Sequence, residues 1–261
     1  MGELHYIAFE DEADNIKEKV ESYWTKRAEG FFELRHDEIE SEKAKRWTSE
    51  IDALLKSYPA LADKKNLNIL DVGCGAGFFE IILGRLGHKV TGVDLTEDMI
   101  NKANEMIRIY GLDADKVKAR MGDAESLDFD SETFDVIISR NLTWTLPHPI
   151  EAYKDWYRIL KKGGLLINFD AEYAKGAHNL KSPENLAHKD IDDALKDECH
   201  DIYHMLTISM LDRPDWDLRI LKEIGFTEVV IDETFGDRIF KERDEFYIPD
   251  KMFSIKAYKG R

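Results

Sequence analysis

Cysteine is nearly missing: the 261 residues include only Cys74 and Cys199. Two thiols so far apart make no disulfide framework and suit a reducing compartment. Positive charge is short as well, with 37 Lys and Arg against 53 Asp and Glu, a formal net charge of −16. That surplus repels phosphate backbones and anionic bilayers, so neither nucleic acid nor a membrane is expected as a partner. No apolar run approaches the ~20 residues of a membrane span. Met1–Tyr6 carry neither the basic nor the apolar region of a signal peptide. The expectation is a soluble cytoplasmic protein without repeats or low-complexity tracts, long enough for one α/β domain with a sizeable core.

What is present centres on Asn68-Ile69-Leu70-Asp71-Val72-Gly73-Cys74-Gly75-Ala76-Gly77-Phe78-Phe79-Glu80. This reads as a buried strand, a glycine-rich turn and an apolar helix, an order that leaves free backbone N–H groups at a helix N-terminus. Glycines there let a ligand approach the backbone and permit positive φ. Upstream, residues 1–60 have a helical pattern. Ala44, Trp47, Ile51, Leu54, Leu55 and Tyr58 form an apolar stripe that ends at Pro59. Tyr23, Trp24, Phe31 and Phe32 make the arm unusually aromatic; they either dock it on the core or close it over a ligand.

From Leu67 onward strands and helices alternate with short connections, the pattern of a doubly wound, mostly parallel sheet. Expected strands are His88–Asp94, a half-buried one around Val117–Met121, Phe134–Ser139 and Leu165–Asp170, with Thr96 as N-cap of the helix after the second. Residues 171–212 break this rhythm. They read as an insertion with a helix carrying Ile191, Leu195, Cys199, Ile202 and Leu206, and an insertion after a strand's C-terminal end overhangs the ligand crevice. Pro214–Ile224 is expected as helix, with last strands at Thr227–Ile231 and Met252–Tyr258 joined by a long charged connection that reads as a hairpin loop.

A dinucleotide fingerprint wants a third glycine where this chain has Phe78, which weakens a nicotinamide or flavin reading. An acid does close the second strand: Asp94, placed to take the hydroxyls of a ribose.

The segments Asp71–Gly77, Val93–Met99, Gly122–Leu127, Phe134–Ser139 and Leu160–Leu166, in this order, make the chain resemble a class I S-adenosylmethionine-dependent methyltransferase of the small-molecule branch. The resemblance spans roughly residues 65–170. It implies a seven-stranded Rossmann-like sheet with the last strand antiparallel, a helical arm at 1–60, a methyltransferase domain at 61–261 and a substrate cap at 171–212. It also implies roles. Asp71, Gly73, Cys74, Gly75 and Gly77 would face the methionine part of the cofactor, and Asp94 the ribose. Leu95 and Met99 would pack at the adenine, with Asp123 and Ala124 at its amine. Arg140 and Asn141 would border the sulfonium, and Tyr23 and Trp24 would be lid aromatics.

The acceptor, a small molecule with an N, O or S nucleophile, would lie between the arm and the insertion, near Trp144, Tyr173, His178, Tyr203 and His204. His200 and His204 have the spacing of a metal pair, but a surface pair is the commoner outcome and no metal is expected. No side chain is obligatory for methyl transfer, so no catalytic residue is assigned. The protein would work as a monomer or homodimer. Two rival readings stay open: a cofactor-binding regulator or inactive partner without turnover, and a nucleotide-dependent oxidoreductase on the same sheet.

Overall fold

The structure, a computed structural model, describes residues 10–173 and 177–261, with side chains at 15–173 and 179–261. Seven strands form one sheet: β1 (Asn68–Val72), β2 (Lys89–Asp94), β3 (Val117–Met121), β4 (Phe134–Arg140), β5 (Leu160–Asp170), β6 (Glu228–Asp232) and β7 (Phe253–Tyr258). Their order is β3-β2-β1-β4-β5-β7-β6. The pairs from β3 to β5 are parallel, and β7 runs antiparallel to both β5 and β6. The strand order reverses between β1 and β4, so the crevice at the C-terminal ends of these strands is where such a sheet binds ligands.

The helices are α1 (Glu10–Glu40), α2 (Glu42–Ser57), α3 (Phe78–Arg85), α4 (Glu97–Ile109), α5 (Pro149–Ile159), α6 (Asp193–Met205), α7 (Asp215–Ile224) and the short α8 (Phe235–Ile239). The predicted stripe of α2 buries Ala44, Trp47, Ile51 and Leu55, and Ser41 caps the helix by accepting from the Lys43 N–H. Trp47, fully buried, meets Phe79 and Phe169 edge-on at 5.6 and 4.9 Å and joins the arm to one face of the sheet. The other face packs Trp156, Tyr153 and Leu166 with Tyr23 of α1 and Cys199, Ile202 and Tyr203 of α6. Burial of such side chains, at ~1.5–3 kcal/mol each, holds both α1 and α6 on the body.

Three sequence expectations shift. The fifth strand begins at Leu160, not Leu165: Phe134 pairs with Leu160 and Val136 with Leu165, so Lys161–Gly164 bulge out of the ladder. A bulge absorbs the extra residues that alternation alone cannot place. Thr96 precedes α4 but gives no side-chain cap; its own N–H is bound by Asp94 instead. The connection between β6 and β7 is not a plain hairpin loop, since it contains α8 and an ordered segment through Ile248 that reaches the crevice.

Candidate functional site

The turn after β1 needs its glycines for two reasons. Gly73, Gly75 and Gly77 all have positive φ, at 70°, 51° and 91°, a region that side chains with a Cβ rarely adopt. At Gly75 a Cβ would also stand 2.9 Å from the Phe31 ring of α1, so the arm lies directly over the loop. Gly77 serves a different end. It is the N-cap of α3, against Ala103 of α4, and is not part of the pocket lining.

Beneath α1 lies a space of ≈ 1630 Å³, its open mouth included. Asp71, Gly73, Cys74 and Gly75 border one end of it. Asp94, Leu95, Met99, Asp123 and Ala124 border another, with Arg140 and Asn141 where β4 ends. The acids are held in place before any ligand arrives. Asp94 accepts from the Gly75 N–H at 2.9 Å and from the Thr96 N–H at 3.0 Å. Burial pushes its carboxyl up, and these N–H groups pull it back. Asp123 accepts from the Glu125 N–H at 2.9 Å and from Lys17 Nζ of α1 at 2.8 Å.

Asp71 and Glu80 form a buried acid pair under the loop. Burial raises both carboxyls, and mutual repulsion raises Glu80 further, so the pair retains a proton where isolated carboxyls are ionised. Asp71 Oδ1 has no hydrogen-bond partner.

Arg140 does not point a bare charge at the crevice. Its guanidinium stacks over Trp47 and Phe78 at 4.6 and 5.0 Å and donates to the fully buried Glu38 of α1 at 2.9 and 3.2 Å. Arg35 of α1 shares the same carboxylate, and burial beside Arg140 depresses Arg35 to about 10. The cluster therefore carries one net positive charge. Asn141 adopts positive φ, at 56°, unusual for a residue with a Cβ, and its Oδ1 accepts from Tyr173 Oη at 2.7 Å.

The far side of the pocket is aromatic. Tyr23 and Trp24 of α1 line it, with Trp144, Tyr173 and Tyr203. The Trp144 ring lies 4.6 Å from Tyr203 and 5.6 Å from Tyr173, and the backbone N–H of Trp144 donates to Asp170 at 3.1 Å. His204 is elsewhere: it sits exposed on α6 with its Nε2 3.3 Å from that of His200. The His178 side chain lies outside the described residues. Among the described residues no three His, Cys, Asp or Glu gather as metal ligands.

Sequence reading passed over Lys17, Arg27, Arg35 and Glu38 on α1, and Phe246 and Ile248 beyond it. All but Glu38 line the pocket. A signal did exist on α1: Tyr23, Arg27, Phe31 and Arg35 recur every fourth residue, placing two arginines on an otherwise aromatic stripe. The others come from distant loops with no local pattern.

Comparison with known proteins agrees with this geometry. Residues 70–168 match the family described as "Methyltransferase domain". A phosphatidylethanolamine N-methyltransferase of Cereibacter sphaeroides is 34% identical over 101 residues, which cover 38% of this chain and 48% of that protein. The chain thus spans about half the length of that curated relative. Among solved structures, a putative methyltransferase from Bacillus halodurans superposes with a TM-score of 0.53 at 22% identity, over 82% of this chain and 100% of that one. Phosphoethanolamine N-methyltransferase 2 of Haemonchus contortus, in complex with S-adenosyl-L-methionine, gives 0.55 at 17% identity, over 87% and 60%. Residues 70–168 thus carry a methyltransferase domain, and the seven-stranded sheet built around them has the fold of these solved structures.

Proposed function

We propose that this chain binds S-adenosylmethionine and transfers its methyl group to a small molecule. The observation that carries the reading is the convergence of the glycine loop, Asp94 and Asp123 on one pocket roofed by α1. The residues fit the cofactor part by part. Asp94 has lone pairs left for ribose hydroxyls after its two backbone bonds. Asp123 and Ala124 border the adenine end. The orphaned Asp71 Oδ1 suits an ammonium, and the net positive charge of Arg35, Glu38 and Arg140 suits a carboxylate.

When bound, the cofactor supplies an already activated sulfonium methyl. The protein's part is then position. Glu38 neutralises Arg140, which keeps a bare cation away from the sulfonium, while Asn141, Leu142 and Trp144 form the wall facing the methyl. α1 excludes water. It is tied at one end by Lys17 to Asp123 and Glu125, in the middle by Lys26 to Glu198, and at the other end by Glu38 to Arg140. We assign 1–60 as the lid, 61–261 as the catalytic domain and 171–212 as the cap that receives the acceptor. The net charge of −16 and the two unpaired cysteines support a cytoplasmic enzyme acting on metabolites rather than on nucleic acid.

Calorimetry with S-adenosylhomocysteine and NADH tests the cofactor: the first should bind and the second should not. Formation of S-adenosylhomocysteine from the methyl donor in a metabolite extract tests turnover. Binding without turnover on any extract would leave a regulator in place of an enzyme.

A further inference from the structure

Four cations line the pocket: Lys17, Arg27, Arg35 and Arg140. Lys17 is matched by Asp123 and Glu125, at 2.8 and 2.6 Å. Arg35 and Arg140 share Glu38. Arg27 stands apart. It is 7% exposed, and its guanidinium donates to Tyr23 Oη at 3.1 Å; among the described residues no carboxylate pairs with it. The nearby acid of α6, Glu198, is taken by Lys26 at 2.8 Å.

A buried guanidinium without a counter-ion is strongly unfavourable, and arginine cannot escape by losing its proton. The missing anion is therefore a ligand group. The cofactor's own carboxylate has a place at the other end of the lid, where Arg35 and Arg140 outnumber Glu38. Arg27 faces the cap instead, beside Cys199 and His188. His188 adds no charge of its own. Burial and the neighbouring Arg27, Arg35 and Lys196 hold it neutral, down to about 3, and its Nδ1 is buried without a partner.

We propose that the methyl acceptor is a small anion, a carboxylate or phosphate on an aromatic or apolar body, whose charge is held by Arg27 and whose body packs against Tyr23, Trp144 and Tyr203. This rests on the methyltransferase reading of the same pocket. One fork-shaped guanidinium suits one such group, bound through two parallel N–H donors. The acidic exterior, at −16 overall, repels polyanions, which restricts the anion to a small one. The orphaned His188 Nδ1 offers an acceptor to an O–H or N–H on the same molecule.

Titration of the full chain, with and without S-adenosylhomocysteine, tests this with benzoate, phenyl phosphate and neutral benzamide as probes. Benzoate or phenyl phosphate should bind at least tenfold more tightly than benzamide, and whichever does so identifies the anion. Arg27→Gln should lose that preference while keeping S-adenosylhomocysteine affinity within twofold, and Arg27→Lys should keep part of it. Equal binding of benzamide, no binding of either anion, or full anion affinity in Arg27→Gln would overturn the proposal. So would a fall of S-adenosylhomocysteine affinity in Arg27→Gln to that of methylthioadenosine, because Arg27 would then hold the cofactor's carboxylate. Selective anion binding by a chain that takes no S-adenosylhomocysteine would uphold the Arg27 site and refute the methyltransferase reading instead.

Discussion

Asp94 Oδ2 accepts from the backbone N–H of Gly75 at 2.9 Å, so the end of β2 holds the glycine loop as well as facing the crevice. Its removal should therefore act twice, through lost ligand bonds and through a loosened loop. A hydrogen bond to a charged group contributes ~1.5–3 kcal/mol. Asp94→Ala is expected to weaken S-adenosylhomocysteine binding about 100-fold or more with the fold intact by circular dichroism. Asp94→Asn, which retains an acceptor for Gly75, should lose less. Calorimetric titration of both variants checks the order; equal affinity in Asp94→Ala and the parent would remove Asp94 from the ribose site.

A second relationship explains why β2 has a glycine in its middle. A Cβ on Gly92 would collide with Glu80 Oε1 and stand 2.8 Å from Cys74 Sγ. Gly92→Ala should destabilise the protein by roughly 1–3 kcal/mol, the usual range for overpacking. Glu80→Ala in the same chain opens the space, so the double variant should be more stable than the sum of the single effects predicts. Urea denaturation of the four members of the cycle measures the coupling, and strict additivity would mean that Glu80 is not the obstacle.

The buried pair also makes stability depend on pH. In the unfolded chain Asp71 and Glu80 ionise near pH 4; folded, burial and repulsion raise both, Asp71 to about 8. The folded state therefore binds more protons than the unfolded one between those values, and stability falls as pH rises through that window. Glu80→Gln removes one of the two titrating groups. Its urea midpoint should decline less between pH 5 and 8 than the parent's, measured in one buffer series at fixed ionic strength. Parallel declines would place the effect elsewhere.

These relationships mark the limit of what the sequence discloses. The loop, the acids at the ends of β2 and β3 and the alternation from Leu67 to Asp170 are legible because strand–turn–helix chemistry is local: glycine for positive φ, an acid at a strand end. The stripe of α2 is legible for the same reason. Gly92 is not, because the group that demands it, Glu80, comes from another element and is a carboxyl among the apolar buried residues of α3. Glu38 is opaque too. On α1 it is one acid among many, and only the packing of the arm against β4 sets it between two arginines. The bulge at Lys161–Gly164 hides behind a Gly-Gly pair that reads equally well as a turn.

Glu38 supplies the last test. It is fully buried, its carboxylate shared by Arg35 of its own helix and Arg140 of β4, and those two arginines depress its carboxyl despite burial. Breaking a buried charge network by removing one member costs about 3–5 kcal/mol, because the remaining charges stay desolvated. Glu38→Gln leaves two guanidiniums facing each other with no anion, so α1 should detach over its C-terminal half. Two readouts separate that from general unfolding. Hydrogen exchange should rise in α1 while β1 and β4 stay protected, and S-adenosylhomocysteine should dissociate at least tenfold faster. A Lys17→Ala variant, which breaks a half-exposed tie contributing only ~0.2–1 kcal/mol, should speed release no more than a few-fold. If the two variants released ligand equally fast, the lid would not be held at Arg140.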